Sequence, residues 1–175
     1  MSRISVDKWA MEIAVTCSKR STCLRRQVGA VLLNDRGHVL STGYNGVAAG
    51  MAHCNMPTGT VMNPMLALPG GGYREPEHWE REQIPCYDHA CPGAASPSGT
   101  NLDGCEAIHA EQNALLQCRD IHSIATCFVT ASPCMTCAKL LLNTSCKTIM
   151  FIQEYPHPEA RDLWLKAGRA WVKYG

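Results

Sequence analysis

No stretch of this sequence is apolar for long enough to cross a membrane, since a spanning helix needs about 20 consecutive apolar residues. There is no excess of either charge. Sixteen Lys and Arg stand against fifteen Asp and Glu, a formal net charge of +1, so no broad electrostatic field points to nucleic acid or to an anionic membrane. A basic stretch interleaved with aromatic residues, the pattern that tracks single-stranded nucleic acid, is missing too. The opening MSRISVDKWAMEIAV carries Asp7, Lys8 and Glu12. Those charges exclude a secretory signal and leave the cytoplasm as the expected compartment. There is no internal repeat.

Cysteine is what the sequence has in excess, eleven in 175 residues. The count is odd, no export signal precedes it, and the chain is long enough to bury a core without covalent staples. A disulfide framework is therefore not expected. Metal ligation and small buried hydrophobes are the two readings that remain. The length fits one domain spanning 1–175.

The pattern along the chain alternates helix and strand. SVDKWAMEIAVTCSKRS reads as a helix capped by Ser5, with Trp9, Ile13, Thr16 and Cys17 on its buried face. VGAVLL (28–33) and HVLSTGY (38–44), joined by the turn residues NDRG, read as a β-hairpin. From Gly46 to Gly104 the periodicity dissolves, and seven of ten prolines and nine of fourteen glycines fall there. A loop that long is disordered or tethered. Its His53, Cys54, Cys86, His89 and Cys91 favour a tether. Regular structure resumes with a helix over 105–118, a strand at 125–131, a helix from PCMTCAKLLL, a strand at 147–153, a helix ended by Gly168 and a last strand in RAWVKY. This order predicts an α/β fold of three layers, α/β/α, with helices on both faces of a central mixed five-stranded sheet.

The chemistry concentrates at two predicted helix starts. His109 and Glu111 open one, and Cys134 and Cys137 open the next, with 24 residues between His109 and Cys134. Cysteines spaced C-x-x-C at a helix N-terminus grip one metal, and the helix dipole favours their thiolates. One His and two Cys make three ligands on Zn²⁺ and leave the fourth position open, the catalytic arrangement. Glu111, two residues from a ligand, is free to carry a proton.

HAEQNALL and SPCMTC together resemble the cytidine/deoxycytidylate deaminase superfamily, whose signature is H-x-E followed by P-C-x-x-C. VGAVLL and STGYNG ahead of that pair, and KTIMFIQEY behind it, are most similar to the deoxycytidylate (dCMP) deaminase branch. The resemblance runs from about Cys23 to Trp164. It implies a cytidine-deaminase-like fold and hydrolytic deamination of dCMP to dUMP and ammonia, on the way to dTMP. It makes His109, Cys134 and Cys137 the catalytic zinc ligands and Glu111 the proton shuttle. Asn45 would bind near the sugar, the Ala110 N–H would meet the pyrimidine carbonyl, and Tyr155 and Ser132 would border the substrate. Arg25 and Arg26 are the candidates for the 5′-phosphate, because guanidinium matches phosphate geometry. A solvated turn is the competing reading for the two arginines, and a plain Asn-Gly turn for Asn45.

The same resemblance implies a second, structural zinc tethering the insertion at about 46–104. Cys23 and Cys54 match two of its places. Cys91 and Cys105 complete a closed four-thiol set, with Cys86 and His89 as alternates and free thiols as the competing reading. Cys17, Cys118, Cys127 and Cys146 read as small buried hydrophobes. Control by dCTP and dTTP, Mg²⁺ accompanying such an effector, and a homo-oligomer, hexamer favoured, are also implied. A deaminase of dCTP or of a 5-modified dCMP, a tRNA deaminase, and a zinc-binding interaction module are the alternatives. The neutral charge argues against the nucleic-acid reading, and the carboxylate at Glu111 against the non-catalytic one.

Overall fold

The computed structural model describes residues 3–51, 53–54, 91, 93, 96–97, 100–101, 104–156 and 158–175, and the backbone alone at 66–67 and 73–74. In chain order the elements are α1 (Val6–Ser18), β1 (Gly29–Leu33), β2 (Val39–Tyr44), β3 (Gly46–Val47), β4 (Leu66–Ala67), β5 (Tyr73–Arg74), β6 (Ala107–Ile108), α2 (Ala110–Gln117), a 3₁₀ turn (Ile121–Ser123), β7 (Thr126–Ala131), α3 (Met135–Leu142), β8 (Thr148–Gln153), α4 (Pro158–Lys166) and β9 (Ala170–Lys173).

Five strands form one mixed sheet in the order β2-β1-β7-β8-β9. β1 runs antiparallel to β2 and β7, while β7, β8 and β9 are parallel. Parallel neighbours need crossover helices, and α3 and α4 supply them. Every residue of β1 is buried, because both faces of the sheet are covered. Ala30 and Leu32 face a core shared with Ala110 and Ala114 of α2, Leu141 of α3 and Trp164 of α4. Val31 and Leu33 face Ala10, Met11 and Ala14 of α1, with Phe128 beside them. The expected three-layer α/β/α fold is what forms.

The β1–β2 turn is built as its residues dictate. The Asn34 side-chain oxygen accepts from the N–H groups of Arg36 and His38, and Gly37 takes φ 77°.

Two expectations need correction. The buried face of α1 is Ala10, Met11 and Ala14, whereas Trp9 is 38% exposed. The reason is close packing. A Cβ on Gly29 would run into the Ala14 carbonyl oxygen and lie 2.5 Å from the Ser18 nitrogen, so the last turns of the helix sit almost backbone to backbone on the start of β1, with no room for a larger side chain between them. The helix expected over 105–118 starts later, at Ala110. Ala107 and Ile108 are extended because they pair with Val47 and Gly46, and two residues of ladder are too short to register as a sequence period. The same holds for β4 and β5, which pair inside the segment that showed no pattern.

Candidate active site

The helices α2 and α3 bring their N-termini to one place. His109 is the residue before α2, with φ −69° and ψ 157°, and its N–H donates to Gln112 Oε1 at 2.8 Å. Cys134 holds the same position before α3, and Cys137 follows one turn later. His109 Nδ1 lies 3.5 Å from Cys134 Sγ and 3.5 Å from Cys137 Sγ. Tetrahedral zinc with bonds of about 2.3 Å to sulfur and 2.0–2.1 Å to nitrogen places S and N about 3.6 Å apart. The donors are therefore already at the edge length zinc requires. Among the described residues they are the one group of three or more such donors within 4.8 Å of one another.

The electrostatics agree. Hydrogen bonding from Cys137, assisted by His109, pulls the Cys134 thiol down to about 4. The bond with Cys134 raises His109 against the opposing effect of its burial. Cys137 is pushed up, first by that same thiolate neighbour and then by burial. Three groups here share protons that a cation would displace. Glu111, in the first turn of α2, is 3% exposed, and burial pushes its carboxyl up to about 7 while nearby His109 pulls it back.

The cavity beside this cluster is lined by His109, Glu111 and Cys134 and by all six residues expected to meet substrate: Arg25, Arg26, Asn45, Ala110, Ser132 and Tyr155. Ala110 is the first residue of α2, so its N–H has no acceptor within the helix. Ser132 Oγ accepts from the Tyr155 N–H at 2.8 Å, which sets the start of the segment after β8. Asn45 is 8% exposed. Its amide is a clamp: Oδ1 accepts from Val28 N–H at 2.7 Å, and Nδ2 donates to the Arg26 carbonyl at 2.8 Å. Arg26 stacks its guanidinium 5.4 Å from the centroid of the Tyr155 ring. Arg25 is engaged elsewhere, its Nη1 donating to the carbonyls of Gly93 at 2.7 Å and Thr100 at 3.0 Å.

Two of the four cysteines expected to tether the insertion border the same cavity. Cys23 and Cys105 line it. Cys23, Cys54 and Cys91 are buried and Cys105 half-buried. Burial raises Cys54, which has Cys91 as a hydrogen-bonding neighbour and senses Cys23. Burial likewise raises Cys105, which senses Cys91, Arg25 and Cys23. The four thiols share a neighbourhood without the tight closure of the His109 group. Cys86 and His89 lie outside the described residues. Cys127 and Cys146 are buried as expected, but Cys17 and Cys118 are only half-buried. No helix among the described residues is long and apolar enough to cross a membrane.

Three residues that seat the site carried no expectation. A Cβ on Gly43 would strike the Ala110 carbonyl oxygen and lie 2.5 Å from the Ala114 nitrogen. Ser41 Oγ donates to the Ala114 carbonyl at 2.8 Å, and Asn113 Nδ2 donates to the Tyr44 carbonyl at 2.8 Å. Together they press α2 onto β2. Gly43 and Asn113 both lie inside the distinctive stretches STGYNG and HAEQNALL, which was the available signal.

The family described as "Cytidine and deoxycytidylate deaminase zinc-binding region" matches residues 4–153. The deoxycytidylate deaminase of Mycobacterium phage D29 is 32% identical over 155 residues, covering 88% of this chain and 99% of the phage protein. That of Schizosaccharomyces pombe is 32% identical over 158 residues, covering 87% of this chain but only 38% of the yeast protein. The crystal structure of dCMP deaminase from cyanophage S-TIM5 in apo form superposes with a TM-score of 0.62 at 22% identity, covering 99% of this chain and 100% of that one. With His109, Cys134 and Cys137 gathered in one cluster and the family matched from residue 4 to residue 153, the chain belongs to the zinc-binding cytidine and deoxycytidylate deaminases.

Proposed function

We propose that this chain hydrolyses the C4 amine of dCMP, giving dUMP and ammonia for dTMP synthesis. The observation that carries the reading is the buried Glu111 set beside the His109, Cys134 and Cys137 cluster, on a cavity that His109, Glu111 and Cys134 line together with Arg26, Asn45 and Tyr155. The naming of the D29 relative, matched over nearly its full length, supports the same substrate. Zinc held by His109, Cys134 and Cys137 supplies Lewis-acid activation of water at neutral pH. Glu111, with its carboxyl raised into the neutral range, takes one proton from the attacking water and gives it to N3 of the ring, then takes the second from the new C4 hydroxyl and gives it to the amine, which leaves as ammonia. The Ala110 N–H holds the pyrimidine carbonyl, Asn45 meets the sugar, and Tyr155 with Ser132 closes the cavity on the base.

Residues 1–175 form one domain, and a structural zinc on Cys23, Cys54, Cys91 and Cys105 is supported by the burial of the first three and the half-burial of Cys105. Control by dCTP and dTTP, with Mg²⁺ on the triphosphate, and assembly of copies of the chain into a hexamer belong to the proposal as well. Leu116 of α2 and Leu140 of α3, 76% and 44% exposed, offer a second copy apolar surface to cover.

An assay of the purified protein on dCMP, dCTP, 5-methyl-dCMP, deoxycytidine and tRNA tests the substrate. The highest kcat/KM on dCMP is expected, and a preference for dCTP or tRNA rejects the assignment. Glu111→Gln should retain zinc and lose about 10³-fold in kcat, within the usual range for a missing general acid–base group. Turnover like the unmodified protein's in that variant removes Glu111 from the reaction.

A further inference from the structure

Arg25 and Arg26 are adjacent and both border the catalytic cavity, yet their side chains have different work. Residues 19–28 form neither helix nor strand, so side-chain bonds must hold this stretch in place. Asn45 provides one set, gripping the Arg26 carbonyl and the Val28 N–H. Arg25 provides another. Its Nη1 reaches the carbonyls of Gly93 and Thr100, 68 and 75 residues away in sequence. Gly93 is itself cinched to the start of the next segment. Its N–H donates to the Gly104 carbonyl at 2.7 Å, and a Cβ there would lie 2.7 Å from Cys105 Cα.

Arg26 is different. Its Nη1 is buried without a hydrogen-bond partner among the described residues, and its guanidinium plane rests against the Tyr155 ring. A buried guanidinium donor left unpaired is costly, and an anion entering the cavity relieves it. Phosphate oxygens match the guanidinium fork.

We propose that Arg25 is a positioning residue which straps the insertion to the cavity rim and thereby sets Arg26 as the receptor for the 5′-phosphate of a nucleoside monophosphate. The inference rests on the nucleotide-deaminase reading above. It divides one expected role between the two arginines: Arg26 contacts the anion, and Arg25 acts through Arg26.

The test is a double-mutant cycle, read as kcat/KM on dCMP divided by kcat/KM on deoxycytidine, which lacks the phosphate. Arg26→Ala should lower that ratio about a hundredfold, as loss of a charge-assisted phosphate contact does. Arg25→Ala should lower it about tenfold through KM for dCMP, with kcat within about threefold as the sign that the fold is intact. Arg25→Lys, which keeps a cationic donor for the two carbonyls, should recover part of that loss. The double variant should be no worse than Arg26→Ala alone, because a residue acting through another has no further effect once that other is gone. Additive losses, or an Arg25→Ala variant with unaltered discrimination, overturn the strap while leaving the dCMP reading in place. Equal turnover of dCMP and deoxycytidine by the unmodified protein overturns that reading, and the inference with it.

Discussion

Gly43 contributes no side chain, and the catalytic helix depends on that. The Ala110 carbonyl and the Ala114 nitrogen occupy the space a Cβ would need, so any larger residue drives α2, with His109 and Glu111 on it, away from β2. Gly43→Ala is expected to cost about 3 kcal/mol by overpacking and to reduce kcat, as thermal unfolding and steady-state assays will read. Gly46→Ala is the control, since a Cβ there meets the Tyr44 ring at an ordinary 3.8 Å. Equal stability of the two variants refutes the close-approach account. Residues of this kind mark the limit of what the sequence discloses. His109, Glu111, Cys134 and Cys137 were legible because metal chemistry demands those side chains at that spacing. Arg25 reads as an anion candidate because guanidinium fits phosphate, and the two backbone carbonyls that its Nη1 meets leave no trace in residue type.

At the scale of elements, the helices and the five strands of the main sheet were legible from pattern, and the two-residue strands, helix faces and helix starts were not. The face of α1 turned out to be its alanines, because Gly29 lets the helix sit on the sheet. The start of α2 was set by a two-residue ladder to β3. Both outcomes come from neighbours distant in sequence. A further long-range bond supports α3, the helix that carries Cys137. Arg169 places Nη1 on the carbonyls of Leu141 and Cys146 and Nη2 on that of Leu142, with its guanidinium 5.3 Å from the centroid of the Trp164 ring. It caps the C-terminal end of α3, where the helix dipole favours a cation. Arg169→Ala leaves those carbonyls without the charged donor and should destabilise by about 3 kcal/mol, a fall in Tm of roughly 6–12 °C for a chain this size. A fall under about 2 °C would mean that solvent replaces the fork at little cost.

At the scale of the whole molecule, the insertion is where sequence pattern ends and side-chain chemistry takes over. Its base returns to the catalytic cavity through Arg25, through the Gly93–Gly104 bond and through the thiols of Cys23, Cys54, Cys91 and Cys105. Burial first, and the neighbouring thiols after it, raise Cys54 and Cys105, an arrangement that is unfavourable for their ionised forms until a cation joins them. Two zinc ions of different character should follow. One would sit at three protein ligands with a position left for water, and the other would be closed by four thiolates and contribute to folding. Elemental analysis of the purified protein is expected to give about two zinc per chain. Cys54→Ser should remove about one of them and lower Tm, since a structural site stabilises the folded state it completes. His109→Ala should remove the other with a smaller fall in Tm, because only the closed site ties distant segments together. About one zinc per chain in the unmodified protein, with none lost on Cys54→Ser, would leave the insertion held by Arg25 and backbone bonds alone.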